Sequence, residues 1–143
     1  MAVTVRKITV WRTEVDNRAG ALAELLAALT AARGNLDVVM GYRVPGQHER
    51  AVIEVWPVSG KKLSQAAESV GLRPSETKTL LVLGDDRPGL GHAMARALAD
   101  AGINLVFLVA QVVGRRYSAV FGFESAVDAD RAVGLLKKAR PGR

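Results

Sequence analysis

The sequence predicts an α+β protein built from two copies of one small module, each a four-stranded antiparallel sheet with two helices on one face. The first observation behind this is an internal repeat. VDNRAGALAELLAALTAARGNL at 15–36 recurs in outline as GDDRPGLGHAMARALADAGINL at 84–105, with Asp16, Arg18, Gly20, Leu29, Asn35 and Leu36 in register with Asp85, Arg87, Gly89, Leu98, Asn104 and Leu105. An offset of 69 residues is too long for a solenoid and points to duplication of a domain. The second observation is hydrophobic periodicity that alternates between the strand and helix values in the order strand, helix, strand, strand, helix, strand. The third is length: 143 residues make two units of about 70, each near the size at which one core is only marginally stable.

In the first copy, Arg6 to Val15 reads as a strand, with Ile8 and Val10 on one face and Trp11 on the other. Leu22, Leu25, Leu26 and Leu29 then stripe one side of a helix. From Leu36 to Val44 the residues alternate as in a strand, Pro45 and Gly46 turn the chain, and Ala51, Ile53 and Val55 return it. Leu63, Ala66, Ala67 and Val70 mark a second helix, and Leu72 opens a last strand that could run on to Leu83 and join the copies.

The second copy has a strand at Lys78–Leu83, a helix carrying Leu90, Met94 and Leu98, strands at Leu105–Val113 and Tyr117–Glu124, and a helix over about 128–139. Its fourth strand would begin near 141, where only three residues remain. The second sheet is therefore one strand short, and the edge beside Lys78–Leu83 needs a partner for its backbone groups. NLVFLVAQVV at 104–113 and TLLVL at 79–83 are apolar on both faces, so something beyond the helices must cover them. A second copy of the chain is the expected cover, in a homodimer.

Composition narrows the function. There is no cysteine, which excludes disulfides and thiolate chemistry and suits a reducing cytoplasm. No apolar run is long enough for a membrane span or an export signal. The net charge of +6 invites a nucleic-acid partner, but its distribution argues otherwise. Residues 1–72 hold nine Lys or Arg against seven acids, and the larger surplus in the second half equals Lys137, Lys138, Arg140 and Arg143 at its end. Tyr117, Phe121 and Phe123 behind Arg115-Arg116 could stack RNA bases, yet aromatics at every second strand position are more often core. His48 and His92 have no companions at metal-ligand spacing, and no nucleophile elbow surrounds Ser118, so neither a metal site nor catalysis is expected.

The repeated turn is the candidate site. Pro88 stands where the first helical residue should be, Gly89 permits close approach to the backbone, and the helix start offers unpaired N–H groups worth about 0.3–1 kcal/mol to a nearby anion. Gly84 to Gly89 has the outline of a phosphate loop, but Leu90 and Gly91 replace the required Lys and Ser/Thr. Met94 likewise spoils a dinucleotide fingerprint, so no nucleotide cofactor is expected. A purely structural reading of both turns stays open, in which Pro starts the helix and Gly and Asn serve left-handed backbone.

Asp-Arg-Pro-Gly-Leu at 86–90, the apolar helix after it and Ala-Gly-Ile-Asn-Leu at 101–105 resemble the signature of ACT domains, the small ferredoxin-like regulatory modules that bind amino acids. The likeness covers nearly the whole chain as two tandem copies, residues 1–75 and 76–143. It implies an effector site made by the first strand-to-helix turn and the start of the second strand. Carried onto this chain, the site residues are Arg87, Pro88, Gly89, Leu90 and Asn104 in the second copy and Asn17, Arg18, Ala19, Gly20 and Asn35 in the first. The first copy departs from the pattern at Ala19, which lacks the Pro, and at Arg33-Gly34, where the second has Gly102-Ile103. The resemblance implies a non-catalytic, cytoplasmic regulator that binds a free amino acid and signals to a separate enzyme or regulatory partner. The alternatives are an assembly module that uses its open sheet edge and binds no small molecule, and RNA binding through the aromatic strand and basic tail.

Overall fold

The computed structural model describes residues 3–142 and divides the chain into two compact units, Thr9–Ser75 and a second one formed by Glu76 onward together with the residues up to Ile8. The elements in chain order are β1 (Thr4–Ile8), β2 (Trp11–Asp16), α1 (Ala21–Ala31), β3 (Val38–Val44), β4 (Gln47–Trp56), α2 (Lys61–Ser69), β5 (Arg73–Pro74), β6 (Lys78–Asp85), α3 (Leu90–Asp100), β7 (Phe107–Val113), β8 (Arg116–Phe123) and α4 (Ala126–Lys138). They form two four-stranded antiparallel sheets, ordered β3-β4-β2-β5 and β1-β6-β8-β7. Each is the sheet of a ferredoxin-like βαββαβ module.

The strand missing from the second copy is supplied by the start of the chain. β1 lies antiparallel to β6, with Thr4 opposite Leu83 and Ile8 opposite Thr79, along the edge that the sequence leaves unpaired. The expected strand from Arg6 to Val15 is thus broken at Thr9-Val10, and its halves serve different sheets. The driving force is a row of otherwise unmade backbone hydrogen bonds, reinforced by Val3, which is buried in the second core. Gly84 makes this possible, because a Cβ there would lie 2.5 Å from Cγ1 of Val3. The continuous joining strand over 72–83 is not formed either. β5 is only two residues long and ends at Pro74, which has no N–H for a ladder.

The first core gathers Leu25, Leu29, Ile53, Val55, Ala67 and Leu72 between the helices and one face of its sheet. Leu22, read as part of the same stripe, is instead exposed. The second core is larger and includes Leu80, Val82, Met94, Leu98 and Leu136 with Tyr117, Phe121 and Phe123, so the aromatics of β8 are core, as their spacing predicts. β6 is buried on both faces, with Thr79, Leu80, Leu81 and Val82 all below 9% exposure. β7 is not: Leu108, Val109, Val112 and Val113 are 45–66% exposed, because β7 is an edge strand and nothing among the described residues covers these side chains. No helix among the described residues is long and apolar enough to cross a membrane.

Candidate functional site

The two copies of the turn have the same backbone for the same reasons. Asp16 and Asp85 end their strands opposite Arg50 and Arg116, and each pair is bridged, at 2.9 and 2.7 Å. One residue later the Asn17 N–H donates to the Glu49 carbonyl and the Asp86 N–H to the Arg115 carbonyl, both at 2.8 Å. The repeated Asp is therefore a strand-end fastener. The chain then makes a type II turn in each copy. Ala21 N–H donates to Arg18 O at 3.3 Å, with Gly20 at φ 90° and ψ −13°; Leu90 N–H donates to Arg87 O at 3.1 Å, with Gly89 at φ 82° and ψ 3°. The third position of such a turn requires positive φ, which makes glycine the residue of choice. Pro88 and Ala19 occupy the second position, where φ near −65° is wanted. Pro88 thus lies two residues before the helix, not at its first position as the sequence suggests.

Gly20 and Gly89 are the helix N-caps, and neither helix start has a side-chain cap. Each begins with backbone N–H groups and the positive end of the helix dipole. The two surroundings differ. In the first copy the Arg18 guanidinium folds back onto Glu24 in the first turn of α1, forming an ion pair that holds the Glu24 carboxyl below its ordinary range. In the second copy Arg87 is exposed and has no such partner among the described residues, but Pro141 approaches the turn, its Cβ 3.6 Å from where a Gly89 Cβ would stand. Leu90, a candidate contact residue, is 4% exposed and packs into the second core.

Asn35 and Asn104 are not brought to the turns of their own modules. Each follows an eleven-residue helix that starts at the turn, a length of about 16 Å. The Asn104 side-chain oxygen accepts the Leu105 N–H at 3.0 Å, a local cap on the chain as it enters β7. Asn35 lines a separate cleft with Arg33 and Lys61. The ten sequence-derived residues thus fall into two turns and two helix ends.

Two clefts flank the first turn. One, of about 270 Å³, opens between the turn and β3, with Leu22, Ala21, Gly41 and Ile53 as apolar lining and Arg18, Asn17, Arg43 and the Arg50-paired Asp16 as polar lining. The other, of about 360 Å³, shares Asp16, Arg18 and Ala21 with the first and adds Glu14, Glu24 and Arg50. The first is mixed in character, as small-molecule sites are, and the second is salted with carboxylates. Gly41 and Arg43 were legible only as residues of an alternating strand. The available signal was the glycine itself, since Gly inside a strand marks a place where something approaches closely, and nothing stands within 4 Å of a Cβ built at Gly41. On the face of β3 that carries Tyr42, the phenol donates to the buried Glu54 at 2.7 Å. Burial first, and then that hydrogen bond, push the Tyr42 hydroxyl up to about 12. Among the described residues no group of His, Cys, Asp or Glu is placed to hold a metal.

No family model matches the chain. Among curated proteins, 53 residues are 42% identical to the bifunctional uridylyltransferase/uridylyl-removing enzyme of Bordetella avium (strain 197N), a match that spans 37% of this chain and 6% of that enzyme. The chain is similar over nearly its whole length to solved structures. They include a Bacteroides thetaiotaomicron protein (TM-score 0.74, 14% identity, 94% of this chain and 89% of that one). The regulatory subunit of aspartate kinase from Thermus thermophilus gives 0.64, with 19% identity and 97% of both chains covered. Its Thermus flavus counterpart gives 0.56, with 19% identity and coverage of 95% and 97%. Together with the repeated turn and the two ferredoxin-like sheets, these likenesses show that the chain has the tandem ACT-type fold found in the regulatory subunits of aspartate kinase.

Proposed function

We propose that the protein is a non-catalytic regulator that binds a free amino acid in the cleft between the first turn and β3. The observation that carries this reading is the meeting, at one opening, of an uncapped helix start, the cations Arg18 and Arg43, and an apolar lining of Leu22, Gly41 and Ile53. A carboxylate suits the helix start and the guanidinium groups, and an apolar side chain suits the lining. The sequence motif is fuller at the second turn, and the cleft lies at the first, where Ala19 in place of Pro still closes the turn by the Ala21 N–H to Arg18 O bond. Binding there competes with the Arg18–Glu24 pair and so couples occupancy to the start of α1. The output goes to a separate enzyme or regulatory partner in the cytoplasm.

Calorimetric titration with a panel of amino acids tests the reading. One or a few should give saturable heat, and Gly41→Leu, which fills the cleft from a position with free space, should abolish it while leaving the thermal transition in place. Heats equal to buffer dilution across the panel would refute it. The exposed apolar edge of β7 favours a second reading, assembly without a ligand. The two are compatible: we assign β7 to a homodimer contact in which its uncovered side chains are buried by a second copy.

A further inference from the structure

We infer that the first module carries an anion site, separate from the turn, in the cleft at the start of α2, and that its ligand is a small phosphate-bearing molecule. The cleft, of about 440 Å³, is lined by Arg33, Asn35, Ser59, Gly60, Lys61 and Lys62. Three of its residues are cations and no carboxylate lines it. None of Arg33, Lys61 and Lys62 has an ion pair or side-chain hydrogen bond among the described residues, whereas Arg12, Arg18, Arg50, Arg96, Arg116 and Arg131 are all paired with acids. Three like charges around one opening repel each other, and an anion between them removes that cost.

The duplicated module provides an internal control. At the corresponding place in the second copy, Ser125 caps α4 by accepting the Asp128 N–H at 3.1 Å, and Asp128 supplies an acid in the first turn. Arg131 there is tied to Asp128 and to the Ala101 carbonyl. The left-handed position after the preceding helix is Gly102, at φ 72°. That copy satisfies itself. The first copy has Gly60 without a capping side chain, no acid in the first turn, lysines at both of its first two positions, and Arg33 at the left-handed position, φ 62°, where glycine is the unstrained choice. Each difference adds positive charge or leaves donors open, and all of them face one cleft. Arginine and lysine with an asparagine and a serine form a donor set matched to phosphate oxygens. A cleft of this volume fits a small molecule.

This site lies at the far end of α1 from the turn, so its test does not depend on amino-acid binding. Equilibrium dialysis of the full chain at constant ionic strength, with radiolabelled inorganic phosphate and with labelled glycerol 3-phosphate, should show saturable binding that chloride does not displace. Tighter retention of the ester identifies a phosphomonoester as ligand, and equal retention identifies the free anion. Arg33→Gly should raise the thermal midpoint by relieving the left-handed backbone and yet weaken phosphate binding about tenfold or more. The pair Lys61→Ala and Lys62→Ala should weaken it further. Non-saturating retention, or an Arg33→Gly protein that is more stable and binds phosphate unchanged, would overturn the inference.

Discussion

A few residues decide the geometry of the turns. Gly20 and Gly89 hold positive φ at the third turn position, and Asp16 and Asp85 clamp the strand ends before them. Ala19 stands where Pro88 stands in the other copy, so Ala19→Pro should stabilise the protein by about 0.4–1 kcal/mol by restricting the unfolded chain. Chemical denaturation of the two proteins measures this; a loss of stability would show that the first turn is not of type II. Tyr42 carries a second prediction. Its hydroxyl titrates near 10 when unfolded and at about 12 when folded, so the unfolded chain releases its proton first. The stability linked to this group is complete below pH 10 and is lost as pH rises toward 12. Tyr42→Phe should flatten that part of the alkaline stability profile, and a profile of unchanged slope would exclude Tyr42 as its source. At this scale the sequence was readable wherever a residue obeys a backbone rule, as at Gly20 and Gly89. It was silent wherever meaning depends on a neighbour distant in sequence, as with Arg18 and Glu24 folding together or Pro141 arriving beside Gly89.

The elements were legible in type and order, because their periodicities are local, although the one strand expected over 6–15 is two and the strand opened by Leu72 is only two residues long. Their partnerships were not. Residues 6–15 have the alternation of one strand, and nothing nearby in sequence says that Thr4–Ile8 pairs with Lys78–Asp85 while Trp11–Asp16 pairs with Gln47–Trp56. The open edge of β6 was predictable from the missing fourth strand, but its partner lies about 75 residues away. Deleting the first eight residues should therefore destabilise the second unit, by about 2–4 kcal/mol from the lost burial of Val3 and Ile8. Hydrogen exchange should speed up along β6 and leave β4 protected; uniform acceleration in both units would contradict the assignment of β1. β7 gave the opposite lesson, since its apolar run predicts burial that the single chain does not provide. If β7 forms the proposed homodimer contact, Val109→Lys with Val113→Lys should convert that dimer to monomer in sedimentation experiments without loss of secondary structure. A wild-type chain that sediments as a monomer would remove β7 from any assembly role.

For the whole molecule, duplication has produced two copies of one scaffold that differ in chemistry. The second has the fuller motif, the larger core and a self-satisfied start to α4. The first has the clefts beside its turn and the unpaired cations at α2. Motif fidelity thus follows backbone requirements, whereas a ligand requires space and uncommitted polar groups, and space is what a linear pattern does not record. A regulator needs an effector whose binding energy differs between two states, and couplings of this kind are typically about 1–3 kcal/mol. On the proposed reading, displacement of Arg18 from Glu24 at the start of α1 is the change on which such a difference would act. The most direct test is to follow amide proton–nitrogen correlation spectra of the intact chain while adding each amino acid in turn. One of them should shift the Gly20, Ala21 and Gly41 signals together and to saturation, with the β6 signals unmoved. Spectra unchanged at those three positions for every amino acid would contradict the account.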